Sequence, residues 1–146
     1  MNESKLEQCQ VIKSLNIMEI DNEFKIINPT DVYRFMNDKK GFTDLINKTK
    51  GLIKDFFPDS KLYLEYVEDC EDEELDLIYA YIIDNNGPKE HNREKFNLLF
   101  KEFIKLHSSY PKAFEFFNID IYSNEEYFKR KMNWTIIYWS FFCESK

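Results

Sequence analysis

The chain has 146 residues, a net charge of −7 and 43% apolar residues, including 14 Phe, 9 Tyr and 2 Trp. That length suits one domain with a substantial core, and three Gly and four Pro are too few for a disordered chain or a many-turned β-sandwich. The acidic balance argues against direct nucleic-acid binding through phosphate contacts, which need a basic surface.

In chain order, residues 3–13 read as a short helix. "LNIMEI" (15–20) and "EFKII" (23–27) flank Asp21-Asn22, a usable two-residue turn, and read as a hairpin. In "NPTDVYRFM", Thr30 is placed to cap a helix ending near Asn37, with Asp31 in the first turn where negative charge suits the dipole. Residues 42–57 form a clear helix: Phe42, Leu45, Ile46, Thr49, Leu52, Ile53, Phe56 and Phe57 follow helical spacing, and Pro58 stops the run. "KLYLEYV" (61–67) and "LDLIYAYII" (75–83) are strands by alternation and composition. They read as a hairpin whose tip is 68–74.

Asn85 to Pro88 break the chain. Residues 90–107 form a second helix, with Phe96, Leu99, Phe100, Phe103, Ile104 and His107 on one stripe. "FFNIDIY" (116–122) is a further strand. "SNEEYFKRKM" (123–132) is a helix with Ser123 and Glu126 spaced as a capping box, and "NWTIIYWSFF" (133–142) is a last strand. The whole reads as one α+β domain, 1–146, with a mainly antiparallel sheet of about four strands, helices packed on one face and the 15–27 hairpin at an edge. Within it, 29–122 is the core, 1–28 an N-terminal extension and 123–146 a C-terminal helix-strand extension.

The "TDVYRF" opening, the "FFPDSKLYLEYVED" helix-to-strand junction and the "IDIY" strand resemble a family of small uncharacterised prokaryotic α+β proteins. The resemblance spans residues 26–122 and leaves both ends outside. It implies a compact α+β domain, and it carries over neither a reaction nor site residues.

Cys9, Cys70 and Cys143 are an odd number with no CxxC spacing, so reduced thiols are expected and a disulfide framework or zinc site is not. The opening "MNESKLEQCQ" lacks the apolar core of a secretory leader, and no run of about 18 apolar residues occurs. The expectation is a soluble, cytoplasmic protein that is not in a membrane.

The charge is concentrated in one place. Residues 61–90 hold ten acids against Lys61 and Lys89, a net of −8. Seven of those acids lie in "VEDCEDEELDL" (67–77): Glu68, Asp69, Glu71, Asp72, Glu73, Glu74 and Asp76. As a calcium loop starting at Asp69, the run offers ligands at positions 1, 3 and 5. It places Glu74 where the loop needs Gly and Ala80 where it needs Glu. A looser hard-cation site from Asp69, Asp72 and Asp76, serving metal-dependent hydrolysis, is one alternative. Mimicry of nucleic acid toward a basic protein is another. A plain solvated tip that keeps sheet edges apart is a third.

GxSxG, HExxH, GxxxxGK[ST] and GxGxxG are all absent from the sequence. His91 stands near a helix start, and His107 lies on an apolar stripe. Cys70 sits among carboxylates that disfavour its thiolate. "YFKRKMNW" (127–134) puts Lys129, Arg130 and Lys131 among aromatic residues. That run reads as cations suited to a helix C-terminus, as a counter-surface for the acidic tip within one chain or in a second copy, or as a grip for single-stranded nucleic acid.

A four-stranded sheet cannot hide every ring, so Tyr63, Tyr79, Tyr81, Tyr122, Tyr138 and Trp139 are expected to leave an aromatic face open. The leading expectation is therefore a non-enzymatic protein of inhibitor, immunity or adaptor type, with no catalytic residue, metal or cofactor. It would bind a basic protein through Glu68, Asp69, Glu71, Asp72, Glu73, Glu74, Asp76, Tyr79 and Tyr81. A second copy of the chain is a further candidate partner.

Overall fold

The computed structural model describes residues 23–69 and 71–133. The expected helix 3–13, the strand 15–20, the strand 133–142 beyond Asn133, and Cys9, Cys70 and Cys143 lie outside the described residues. In chain order the elements are β1 (Phe24–Ile26), α1 (Pro29–Asn37), α2 (Phe42–Phe56), β2 (Lys61–Val67), β3 (Leu77–Ile83), α3 (Lys89–Ile104), β4 (Phe117–Tyr122) and α4 (125–133).

Pro29 opens α1, where its missing N–H is no loss. Thr30 therefore sits inside the first turn and is not the cap. The preceding residue, Asn28, turns its side chain toward β2: Tyr66 N–H donates to Asn28 Oδ1 and Asn28 Nδ2 donates to the Tyr66 carbonyl, both at 3.0 Å. That pair continues the β1–β2 ladder for one step after the backbone has left it. Gly41 precedes α2 at φ 78°, a left-handed conformation that glycine adopts freely.

The sheet runs β1-β2-β3-β4. Only β2 and β3 are antiparallel, with Val67 opposite Leu77 and Lys61 opposite Ile83. β1 is parallel to β2, and β4 is parallel to β3. The sheet is thus mixed, with two parallel pairings and one antiparallel, and the expectation of a mainly antiparallel sheet is corrected. The reason lies in the connections. A short connection reverses the chain, whereas passing through α1 and α2, or through α3, returns it to start the next strand in the same direction.

Alternation along the strands sorts side chains to two faces. Phe24, Leu62, Leu64, Ile78, Ala80, Ile82, Phe117 and Ile119 meet Val32, Met36, Phe42, Leu45, Ile46, Ile53, Leu99 and Phe103 of α1, α2 and α3 in the main core. On the other face Phe128 and Met132 of α4 bury against Tyr63, Tyr81 and Ile83. Helices packed on one face is therefore correct for α1 to α3 and corrected by α4, which covers part of the opposite face. From the two expected extensions, Phe24–Ile26 joins the sheet as β1 and the helix 125–133 packs against it.

Two helix ends also differ from expectation. α3 stops at Ile104 and tightens into a 3-10 turn over Lys105–Ser108. Tighter winding carries His107 off the apolar stripe, and both His107 and Ile104, the last α-helical residue, are exposed. At α4, Tyr127 N–H donates to Asn124 Oδ1 at 3.0 Å, so Asn124 is the cap in place of Ser123. Ser123 Oγ is engaged elsewhere, accepting a hydrogen bond from Asn92 Nδ2. Among the described residues no helix is long and apolar enough to cross a membrane.

Candidate functional site

The described residues of the acidic connection, 68–69 and 71–76, are held by their own carboxylates. Glu71 N–H and Asp72 N–H donate to Asp69 Oδ1 at 2.9 and 3.0 Å, and Glu74 N–H donates to Asp72 Oδ1 at 2.9 Å. These are the local turns that Asp readily makes. Glu73 begins a single 3-10 turn, Glu73–Leu75. Asp76 is buried, accepting the Tyr66 hydroxyl at 2.5 Å and Asp69 N–H at 2.7 Å. Burial first, and then the facing Asp76 carboxylate, push the Tyr66 phenol far above its ordinary pKa. Asp69, Asp72 and Asp76 thus direct oxygens to backbone and phenol donors. Among the described residues no group of three or more His, Cys, Asp or Glu is arranged to hold a metal ion. Glu68, Glu71, Asp72 and Glu74 are exposed, and so is Leu75.

Tyr79 and Tyr81 lie two and four residues into β3, on the sheet face that α4 shares. Their rings stack at 5.6 Å with 6° between planes. Tyr81 is buried and donates to Glu65 Oε1 at 3.0 Å. Glu65 is itself only 5% exposed, and burial raises its pKa despite that hydrogen bond. Of the nine partner-binding candidates, the exposed acids stand together at one end of the hairpin. Asp76 and Tyr81 are interior, and Tyr79 is half-buried.

At the other end of β3, beyond Ile83, the carboxyl ends of the parallel strands β3 and β4 meet the first turns of α3 and α4. A cleft of about 550 Å³ opens there, lined by Lys89 and Arg93 of α3, Arg130 and Lys131 of α4, Asp120 of β4 and Tyr127. Crevices outside strand carboxyl ends are favoured ligand positions in sheets with parallel strands. Lys131 stands 5.3 Å from the Tyr122 ring centroid, and its hydrogen bond with Tyr122 raises its pKa. Asn92, 1% exposed, also lines the cleft; its Nδ2 donates to the Asp84 carbonyl and Ser123 Oγ, and its Oδ1 has no hydrogen-bond partner among the described residues.

α4 is pinned beside this cleft by Glu125. That carboxylate accepts Lys61 Nζ and the Tyr63 hydroxyl, each at 2.9 Å, and stands 3.5 Å from Lys129. The Lys61 and Tyr63 hydrogen bonds hold Glu125 down at about 2, and burial with the same contact lifts Tyr63 to about 12. Of the basic run, Lys129 therefore faces Glu125 while Arg130 and Lys131 face the cleft. The cleft lies at the opposite end of β3 from the acidic connection, so the run is not a counter-surface for it within one chain. Nothing in the sequence groups Lys89 and Arg93 with Arg130 and Lys131. The nearest signal was the "FKRK" run itself. Compared with protein families, with curated proteins and with solved structures, the chain matches none.

Proposed function

We propose that this protein acts by binding a basic protein surface through the acidic end of its β2–β3 hairpin. One observation supports the reading above others: backbone N–H groups of the connection donate to the carboxylates of Asp69, Asp72 and Asp76. A connection held this way has little ordering entropy left to lose on association. Glu68, Glu71 and Glu74 then project from a set frame, where their summed field steers a cationic partner and raises the association rate. Exposed Leu75, at the end of the Glu73–Leu75 turn, adds apolar contact beside the acids.

The test is capture of binding partners from the native cell with the protein and with the triple variant E68Q/E71Q/E74Q. This variant leaves the three turn-forming aspartates in place. A cationic partner held by the parent chain, released by moderate salt and lost in the variant is the expected result. Equal capture by both proteins removes the acidic end from the interface.

A further inference from the structure

We infer that the cleft between α3, α4 and the carboxyl end of β4 is a binding site for a phosphorylated small molecule of nucleotide size. Four cations, Lys89, Arg93, Arg130 and Lys131, face it against the single carboxylate of Asp120. This is a local excess of positive charge in a chain of net charge −7. Among the described residues Lys89, Arg93 and Arg130 form no ion pair. Like charges gathered without partners repel one another, and an arriving anion relieves that repulsion.

Three further features select phosphate over a lone carboxylate. The guanidiniums of Arg93 and Arg130 suit the forked geometry of an oxyanion, and a phosphate monoester carries enough negative charge to answer several cations. Two helices, α3 and α4, begin at the cleft, where the helix dipole favours an anion, and α3, with Pro88 ahead of it, has no side-chain cap among the described residues. Ser123 Oγ accepts from Asn92 Nδ2, which leaves its own proton for an acceptor in the cleft that it lines.

The rest of the cleft suits an organic body. Tyr127 is 55% exposed, and its ring centroid is 6.3 Å from that of Tyr122 with 40° between the planes, which gives an aromatic wall beside the cations. A volume of about 550 Å³ falls within the range that holds a drug-sized ligand. A nucleic-acid strand is the poorer fit: the cleft is local, and the opposite end of the hairpin is strongly acidic, whereas a polyanion needs an extended basic track.

The experiment is titration calorimetry of the full chain with adenosine 5′-monophosphate, with adenosine, inorganic phosphate and a short oligothymidylate as comparisons. Saturable binding of the monophosphate and none of adenosine is expected. The R93Q/R130Q variant should bind it at least about tenfold more weakly, since a single hydrogen bond to a charged group carries about that factor. Both arginines are exposed, so the variant is expected to fold, and its circular dichroism should match the parent. Absence of saturable binding of either phosphate probe up to about 10 mM overturns the proposal. So does undiminished affinity in R93Q/R130Q, or oligothymidylate binding much tighter than the monophosphate. The last result makes the cleft part of a nucleic-acid surface instead.

Discussion

Asp76 is 7% exposed while Glu68, Glu71, Asp72 and Glu74 in the same run stand in solvent. Its environment, and not its composition, assigns it to holding the connection in place. Asp76→Ala takes the acceptor from the half-buried Tyr66 hydroxyl and Asp69 N–H, a loss at the lower end of the about 1–3 kcal/mol that an unpaired buried donor costs. Urea denaturation should show that loss, and the Asp69 amide should exchange its hydrogen faster. Glu65 is the opposite case. Its folded pKa lies above its ordinary 4.5, so the folded state holds its proton more tightly than the unfolded chain does. Stability from this residue is then greatest when it is protonated and declines as pH rises from about 4.5 upward. Glu65→Gln keeps an acceptor for Tyr81 and removes the buried charge. Thermal melts should show a higher Tm for the variant at pH about 7, with the gain disappearing near pH 4 or below.

At the level of elements, α4 depends on one ring. Phe128 is 1% exposed, and its centroid lies 4.9 Å from Tyr63 and 5.0 Å from both Tyr81 and Tyr122. Truncating a buried Phe costs about 3–5 kcal/mol, so Phe128→Ala should lower the denaturation midpoint markedly. Because α4 carries Arg130 and Lys131, the same variant should also lose monophosphate affinity in calorimetry, even where the rest of the sheet persists. α2, β2, β3 and β4 were all legible in the sequence, since helical and alternating periodicity is written in consecutive residues. The capping roles of Thr30 and Ser123 were misread. Pro29 takes the first helical position and puts Thr30 inside the turn, while Asn124 caps α4 and Ser123 Oγ is held by distant Asn92.

Over the whole molecule, charge is segregated along β3, with the acidic connection before Leu77 and the basic cleft beyond Ile83. A seven-residue strand at about 3.3 Å per residue separates them by about 20 Å, well beyond the screening length of about 8 Å at physiological salt. The two ends should therefore work independently. E68Q/E71Q/E74Q should leave monophosphate affinity unchanged, and R93Q/R130Q should leave partner capture unchanged. A loss of both activities in either variant would show the ends to be coupled.

By itself the sequence determined that this is an α+β chain, where its best helix and three of its strands lie, and that its negative charge gathers at one connection. Those properties depend on composition and on neighbours a few residues apart. Tertiary structure alone decided that the sheet is mixed, that α4 crosses to the second face, and that Asp76 and Tyr81 are interior. It also assembled Lys89, Arg93, Arg130 and Lys131 around one cleft, although about forty residues separate the two pairs. Strand direction and side-chain convergence depend on how the crossovers return the chain, and periodicity carries no record of that.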